Sequence, residues 1–124
     1  MKIACSFCHT TVETEERASF PAVGKCMNCH RAVKKDSPDI KRLAALANDA
    51  TPFPTGQVYT VEDFVYFSHA RHRKAAIDCR ECHGAVTDHD TVTLEIPVTM
   101  KGCVACHKAR RASIACNTCH ELGQ

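Results

Sequence analysis

The clearest pattern of apolar and polar positions in this chain lies between residues 37 and 48. Ser37 is a favourable N-cap residue, and Pro38 suits the first position of a helix. Four apolar residues then recur at helical spacing on one face: Ile40, Leu43, Ala44 and Ala47. The pattern predicts a short amphipathic helix, which ends at the linker sequence Thr-Pro-Phe-Pro-Thr-Gly of residues 51–56.

Elsewhere the chain has few large apolar residues from which to build a core. Its 124 residues include no tryptophan, five phenylalanines and two tyrosines, a length that suits one domain or two very small ones. Small domains usually need metals or covalent cross-links for stability. No stretch approaches the length of a transmembrane helix. We therefore expect a small, mostly irregular fold with a few short α-helices and little regular sheet.

All ten cysteines lie in five Cys-x-x-Cys-His motifs, and this changes the interpretation of the chain. The pattern is the covalent attachment signature of c-type haem: two thiols add to the porphyrin vinyl groups, and the adjacent histidine ligates the iron. The predicted haem-attaching residues are Cys5, Cys8, Cys26, Cys29, Cys79, Cys82, Cys103, Cys106, Cys116 and Cys119. The predicted proximal ligands are His9, His30, His83, His107 and His120.

Zinc knuckles are the main alternative, because Cys-x-x-Cys pairs are common half-sites for zinc. Zinc, however, does not require a histidine directly after the second cysteine, whereas all five pairs here have one. A disulfide scaffold is a weaker alternative for the same reason. The motifs predict five covalently bound c-type haems, and a multihaem cytochrome c fold organised around them.

The haems also change the expected charge of the molecule. The polypeptide is formally +2, but each haem with two propionates and a ferric centre adds roughly −1, so the holoprotein is mildly acidic. We interpret the basic clusters as propionate partners or solvated surface, with a docking patch for an acidic partner as the alternative. These clusters are Lys34-Lys35, Lys41-Arg42, Arg71/Arg73/Lys74 and Lys108/Arg110/Arg111. Nothing in the composition supports nucleic-acid binding.

Haem is attached to this motif outside the cytoplasm, so the predicted location is periplasmic or otherwise extracytoplasmic. The first five residues contain no apolar core of a signal peptide and lead directly into a motif. We expect that a signal or membrane anchor has been removed or that the sequence starts inside a longer protein. Such an anchor, or the protein's partners, would associate it with a membrane.

The two halves of the chain look like copies of one dihaem unit. In each half a motif is followed by Val, Pro and a Gly/Lys pair before the next motif: Val12, Pro21 and Gly24-Lys25 in one, Val86, Pro97 and Lys101-Gly102 in the other. A further motif follows the second copy. The predicted organisation is an N-terminal dihaem unit (1–36), a helix and linker (37–57), and a C-terminal trihaem unit (58–124).

Three histidines lie outside the motifs and are candidate distal ligands of the haem irons: His69, His72 and His89. His69 and His72 are three residues apart, so they project from one turn of a helix and each reaches a different iron. Surface histidines are the ordinary alternative. The C-terminal unit, however, has three motifs and three spare histidines, which favours axial ligation. His89 lies alone in a polar loop.

The N-terminal unit has two motifs and no spare histidine. Met1 and Met27 are the nearby thioethers, and Met27 lies between the cysteines of its own motif, a poor position from which to reach that iron. Phe67 precedes Cys79 by twelve residues, so the equivalent segment of the first copy falls before residue 1. We expect the first two haems to take their sixth ligands from an upstream segment or a partner chain. Open coordination sites used for chemistry are the competing interpretation.

The sequence Phe67-x-His69-x-x-His72 ahead of a Cys-x-x-Cys-His motif resembles the class III, low-potential multihaem cytochromes c in their trihaem form. That resemblance implies that His69 pairs with His83, His72 with His107, and His89 with His120. His89 departs from the family pattern, since it stands farther before Cys103 than usual.

The longer string Asp63-Phe64-Val65-Tyr66-Phe67-Ser68-His69, with the second motif and Asp36-Ser37-Pro38, is similar to the pentahaem subunit of alternative complex III and of related quinone reductase complexes. The resemblance implies an electron-transfer subunit of a quinol-oxidising or other membrane redox complex, with redox proteins or neighbouring subunits as partners. No catalytic residue is needed, because closely packed haems pass electrons by tunnelling. A free periplasmic shuttle and an extracellular filament subunit are the alternatives. A multihaem reductase is less favoured, since no acid–base cluster stands out.

Overall fold

Short helices separated by irregular segments make up the chain. The structure, a computed structural model, describes residues 3–48 and 56–121. Its α-helices are α1 (Cys5–Cys8), α2 (Val23–His30), α3 (Pro38–Asn48), α4 (His69–Lys74), α5 (Arg80–His83) and α6 (Met100–Ala109). Single 3₁₀ turns occupy Thr10–Glu13, Val86–Asp88 and Cys116–Thr118.

These elements confirm a small, mostly irregular fold with a few short helices. Within the described residues there is no strand, only an isolated antiparallel bridge between Val65 and His120. The helix expected after Ser37 is present as α3 and begins at Pro38, and the Lys41 N–H donates to the Ser37 carbonyl at 3.0 Å. Residues 51–55 of the expected linker lie outside the described part of the chain.

Local hydrogen bonds and backbone conformation fix where the helices of the C-terminal unit begin and end. Ser68 Oγ accepts from the Arg71 N–H at the start of α4, and Thr99 Oγ1 accepts from the Gly102 N–H at the start of α6. Each satisfies a backbone donor that a helix start leaves unpaired. Beyond the ends of these helices, Ala76 and Arg111 adopt the left-handed conformation, both with φ of 57°.

Very few side chains are buried. The buried apolar residues of the described chain are Val12, Val23, Met27 and Ile77, and it has no buried polar residue. The accessible surface of 10047 Å² is about half as large again as the roughly 6,600 Å² expected of a compact chain of this mass. Many large apolar side chains are exposed: Ile3, Phe7, Phe20, Val33, Val58, Val61, Phe64, Tyr66, Val92, Leu94, Ile96, Val98, Met100 and Ile114. The polypeptide alone thus leaves much of its apolar surface uncovered.

The two halves of the chain contact each other through the segment that follows α1. The 3₁₀ turn Thr10–Glu13 packs on α4, and the Glu15 and Glu16 carbonyls accept the N–H groups of Ala70 and His69 at 3.1 and 2.9 Å. In the N-terminal half α2 packs on α3. The division into a dihaem and a trihaem unit stays a prediction. Of the helices in residues 3–48 and 56–121, none has the length and apolar character to cross a membrane.

Candidate haem sites

Each Cys-x-x-Cys-His motif lies in a helix or a helical turn. We number them in chain order as the first (Cys5–His9), second (Cys26–His30), third (Cys79–His83), fourth (Cys103–His107) and fifth (Cys116–His120) site. Helical spacing of three and four residues places the two thiols and the histidine on one face. In the first, third and fifth sites the histidine N–H donates to the carbonyl of the first cysteine, at 2.9, 2.9 and 3.0 Å.

The ten thiols are all unpaired and all exposed or partly exposed. Thiols that are accessible and presented in pairs on a helical turn suit attachment of a haem from outside. No group of three or more Cys, His, Asp or Glu side chains that would hold a metal ion occurs within the described residues. A structural zinc site needs four such ligands.

The thiols also show which sites are neighbours. Burial raises the pKa of Cys26, and the charge of Cys8 raises it further. Burial likewise raises the pKa of Cys79, followed by the charge and hydrogen bond of Cys5. For Cys82 the causes are burial and then the charges of Cys106 and Cys103; for Cys103 they are burial and then the charge of Cys119.

Six of the eight histidines share one arrangement: Nδ1 lies within hydrogen-bonding distance of a backbone carbonyl. The pairs are His9 with Ser19 O (2.8 Å), His30 with Val33 O (3.1 Å), His69 with Glu16 O (2.9 Å), His72 with Ser68 O (2.7 Å), His107 with Ser113 O (2.7 Å) and His120 with Phe64 O (3.3 Å). A carbonyl oxygen accepts and never donates, so Nδ1 carries a proton, and in the neutral imidazole Nε2 keeps its lone pair. This is the arrangement that fixes and orients metal-ligating histidines.

His83 of the third site is oriented differently. Its ring packs edge-on against Tyr59 with 4.5 Å between centroids, and the Tyr59 hydroxyl lies 3.1 Å from the His83 carbonyl and 3.3 Å from that of Thr93. The same hydroxyl accepts from the Glu95 N–H at 3.0 Å. Burial lowers the pKa of His83, followed by the charges of His69 and His9. His83 is therefore favoured as the neutral imidazole, the form that binds a metal.

Two pairs of imidazole rings face each other across a gap. His69 and His83 lie 6.4 Å apart between ring centroids with their planes 10° from parallel, and His72 and His107 lie 6.1 Å apart at 40°. Two imidazoles on opposite faces of one metal ion have centroids about 6 Å apart, since each metal–nitrogen bond is about 2 Å long and each nitrogen lies about 1 Å from its ring centre. Direct ring stacking has shorter distances. Both centroid distances match this value.

Phe67 contacts both candidate distal histidines. Its ring lies 4.8 Å from that of His69, edge to face, and 4.6 Å from that of His72, stacked. Since His69 and His72 share α4, one short helix presents a candidate ligand to the third site and another to the fourth. The structure therefore brings together the two pairs that the class III resemblance implies. Ligation itself stays a prediction.

His89 is placed differently from His69 and His72. It is exposed, and its Nε2 lies 3.2 Å from Glu95 Oε1, while Glu95 Oε2 accepts the Ala85 N–H at 2.8 Å. The His120 ring contacts Phe64 instead, at 5.8 Å between centroids. The described part of the chain shows no contact between the His89 and His120 rings. Ligation of the fifth site by His89 would require this loop to give up its contact with Glu95.

In the N-terminal unit no second histidine ring packs opposite His9 or His30 among residues 3–48 and 56–121. The His9 ring contacts Phe20 edge to face, with 6.4 Å between centroids. Met27, the thioether inside the second motif, is only 7% exposed and belongs to the small core. Met1, the other thioether considered, lies outside the described residues. Distal ligands for these two sites stay a prediction.

The contacts of Tyr59 and Glu95 around the third site have no signal in the sequence. Both residues are far from the motif they serve, Tyr59 by 24 residues from His83. The backbone carbonyls that accept from the histidines cannot be predicted from the sequence either, because every residue type has a carbonyl.

Two comparisons with known proteins bear on these sites. Residues 65–121 match the family model described as cytochrome c7 and related cytochromes c, a range that contains the third, fourth and fifth sites with His69, His72 and His89. The chain is also 28% identical over 145 aligned positions to the high-molecular-weight cytochrome c of Nitratidesulfovibrio vulgaris, an alignment that covers 94% of this chain and 26% of that protein. The chain thus spans about a quarter of that relative's length.

Both matches are to cytochromes c, and they favour c-type haem as the cofactor of the motifs. The donor sets described above fit that cofactor: paired thiols, a histidine on the same helical face, and Nδ1 protons held by carbonyls. The comparisons do not confirm the narrower resemblance to the pentahaem subunit of alternative complex III, which stays a prediction.

Proposed function

We propose that this chain binds one c-type haem at each of its five sites and passes electrons along them in an extracytoplasmic redox assembly. The observation that carries the proposal is the shared arrangement of six histidines, each with Nδ1 bound to a carbonyl and Nε2 left for a metal. Four of these histidines belong to the motifs, and the other two face motif histidines across gaps of 6.4 and 6.1 Å. Chance surface histidines would not share this orientation.

Bound haem supplies a one-electron couple, and the residues of the chain set how it behaves. The carbonyl contacts orient each imidazole and raise its basicity. At the third and fourth sites the opposed pairs would supply both imidazole ligands of a haem iron, which would favour a low potential and exclude substrate from the iron. The exposed apolar side chains, such as Phe7, Phe64 and Ile114, supply the surface that the haem rings cover. The haems are thereby the larger part of the core.

His89 completes the C-terminal unit in this proposal, as distal ligand to the fifth site. Its Nε2 would have to leave Glu95 Oε1, 3.2 Å away, to bind the iron of a haem at the fifth site. The test is the His89→Ala variant of the holoprotein: one low-spin haem should become high-spin. An unchanged spectrum would show that His89 keeps its contact with Glu95.

For the first and second sites we propose distal ligands from outside residues 1–124, either an upstream segment or a partner chain. Two observations support external ligands. In the described residues no second imidazole faces His9 or His30, and the similar cytochrome of Nitratidesulfovibrio vulgaris is about four times as long as this chain. Partners would be a quinol-oxidising or iron–sulfur donor and a second redox protein, as for a subunit of a membrane complex. If there is no membrane partner, the chain is a filament subunit, and the neighbouring protomer supplies the distal ligands.

The number of haems is the first quantity to measure. The chain is produced in a host that matures c-type cytochromes, and haem per polypeptide is determined from the pyridine haemochrome spectrum and the intact mass. Five haems are expected. The variant Cys26→Ala/Cys29→Ala should carry four, and Cys116→Ala/Cys119→Ala should also carry four. A native value of three would restrict the function to the C-terminal unit and overturn the pentahaem proposal.

A further inference from the structure

We propose that the five sites form one unbranched row in the order second, first, third, fourth, fifth. Chain order and spatial order then differ by exchange of the first two sites. The inference rests on the proposed function, in which every motif carries a haem. It is carried by a separate contact at each of the four junctions.

The second site adjoins the first. Lys25, directly before Cys26, places its Nζ 4.4 Å from the centroid of the Phe7 ring, and Phe7 lies between the two cysteines of the first motif. A lysine ammonium at this distance over an aromatic face makes a cation–π contact. Burial raises the pKa of Cys26, and the charge of Cys8 is the next cause. The two motifs are therefore close to each other.

The first site, and not the second, meets the C-terminal unit. The chain that leaves His9 packs on α4, where the Glu16 carbonyl accepts both the His69 N–H and its Nδ1–H, each at 2.9 Å. A further contact joins Arg73 to Glu13 at 3.8 Å. The ring of His69 in turn faces His83 of the third site. One carbonyl of the N-terminal half thus orients the candidate distal ligand of the third site.

The third site adjoins the fourth. Glu81, inside the third motif, accepts from Arg110 at 2.6 Å, and Arg110 lies at the end of the helix that carries the fourth motif. The helix α4 spans the same junction, because His69 faces the third site and His72 the fourth.

The fourth site adjoins the fifth through the short segment between them. His107 Nδ1 donates to the Ser113 carbonyl at 2.7 Å, and the Ser113 hydroxyl bonds that of Thr118, inside the fifth motif, at 2.7 Å. Only eight residues lie between His107 and Cys116, so the connecting chain is short. Burial raises the pKa of Cys103, and the charge of Cys119 is the next cause, which agrees with this proximity.

The row has consequences for electron flow. Each transfer oxidises one ferrous site and reduces its ferric neighbour, with no bond formed or broken. The second and fifth sites are the ends at which a reduced donor protein and an oxidised acceptor protein exchange electrons with the chain. The first and third sites form the single link between the halves, so loss of either separates the row into two parts.

Iron positions in the holoprotein test the order directly. In crystals of the holoprotein, anomalous diffraction at the iron edge locates the five irons, and the attached cysteines assign each to its motif. The iron of the first site should lie between those of the second and third. An iron of the second site nearest to that of the third, or a first site at the end of the row, would overturn the order. Fewer than five irons would instead count against the proposed function.

A matched pair of variants tests the same order in solution. Cys5→Ala/Cys8→Ala/His9→Ala removes the first haem, and Cys26→Ala/Cys29→Ala/His30→Ala removes the second. In the oxidised proteins, loss of the first haem should isolate the second and abolish the dipolar broadening of its EPR signal. Loss of the second should leave the first still broadened by the third. Equal retention of broadening in both variants would contradict an end position for the second site.

Discussion

The N-terminal and C-terminal units present the same haem motif in different surroundings. In both, motif histidines are held through Nδ1 by backbone carbonyls, at 2.8 and 3.1 Å for His9 and His30 and at 2.7 Å for His107, whereas His83 packs against Tyr59 instead. The C-terminal unit adds α4, which places a second imidazole opposite His83 and another opposite His107. In the C-terminal unit the motif thus supplies one imidazole of each pair, and a separate helix supplies the other.

The largest expected effect comes from removing that helix's ligands. His72→Ala should convert one low-spin haem of the C-terminal unit to high-spin, because nothing else in α4 replaces its imidazole opposite His107. Resonance Raman spin-state bands of the oxidised holoprotein measure the change. Arg71→Ala, at an exposed position of the same helix, is the control and should leave every band in place. A fully low-spin His72→Ala protein would contradict the assignment.

One glycine in each unit allows the two backbones to be compared by a glycine-to-alanine substitution. Gly84 has φ of +67°, and an added Cβ would lie 2.9 Å from Cβ and Cδ of Glu95, so Gly84→Ala should destabilise the holoprotein by about 2 kcal/mol. Gly24 in α2 has no atom within 4 Å of such a Cβ, and Gly24→Ala should be neutral or stabilising by up to about 1 kcal/mol.

Guanidinium unfolding of both holoproteins, followed at the haem band, measures this difference. Equal midpoints for the two variants would show that the loop over Gly84 yields to the new methyl group.

A smaller effect is expected from the tyrosine behind His83. Tyr59→Phe removes a hydroxyl that bonds the Glu95 N–H at 3.0 Å and a carbonyl, and should cost about 1 kcal/mol in unfolding free energy. Tyr66→Phe is the matched control, since its hydroxyl bonds Glu121 at 2.9 Å on the exposed surface. Thermal unfolding of the holoproteins should place Tyr59→Phe below Tyr66→Phe. The reverse order would mean that the third site does not depend on Tyr59.

The smallest effect concerns the pH dependence of Tyr66. Its hydrogen bond to Glu121, then slight burial and the charge of that carboxylate, raise its pKa above the ordinary tyrosine value. A raised pKa in the folded state means that the contribution to stability is present below the unfolded pKa and is lost as pH rises through the folded one. NMR titration of ¹³C-labelled tyrosine should show Tyr66 titrating at higher pH than in a Glu121→Gln variant. Identical titrations in the two proteins would show that Glu121 does not raise the pKa of Tyr66.

Local features of the sequence were sufficient for some of this structure. Ser37 and Pro38 mark the start of α3, and the scarcity of aromatic residues predicts a fold without a large core. The spacing of His69 and His72 on one helical turn predicts that they serve two different sites, and the structure places them opposite two motif histidines. These features depend on residues close together in the chain.

The remaining features depend on long-range contacts that leave no local signal. The position of His89 follows from its contact with Glu95, which is itself fixed by Tyr59, 36 residues earlier. The order of the sites follows from Lys25 on Phe7 and from the carbonyl of Glu16, a group that every residue type has. No spacing rule encodes such contacts.

The central claim is that the C-terminal unit carries distal ligands for its own haems, whereas the first and second sites take theirs from outside residues 1–124. Low-temperature EPR of the oxidised, monomeric 124-residue holoprotein tests it most directly. The expected spectrum has low-spin signals from the C-terminal sites together with a high-spin signal equivalent to two haems, which added imidazole converts to low-spin. Five low-spin haems without added ligand would contradict it.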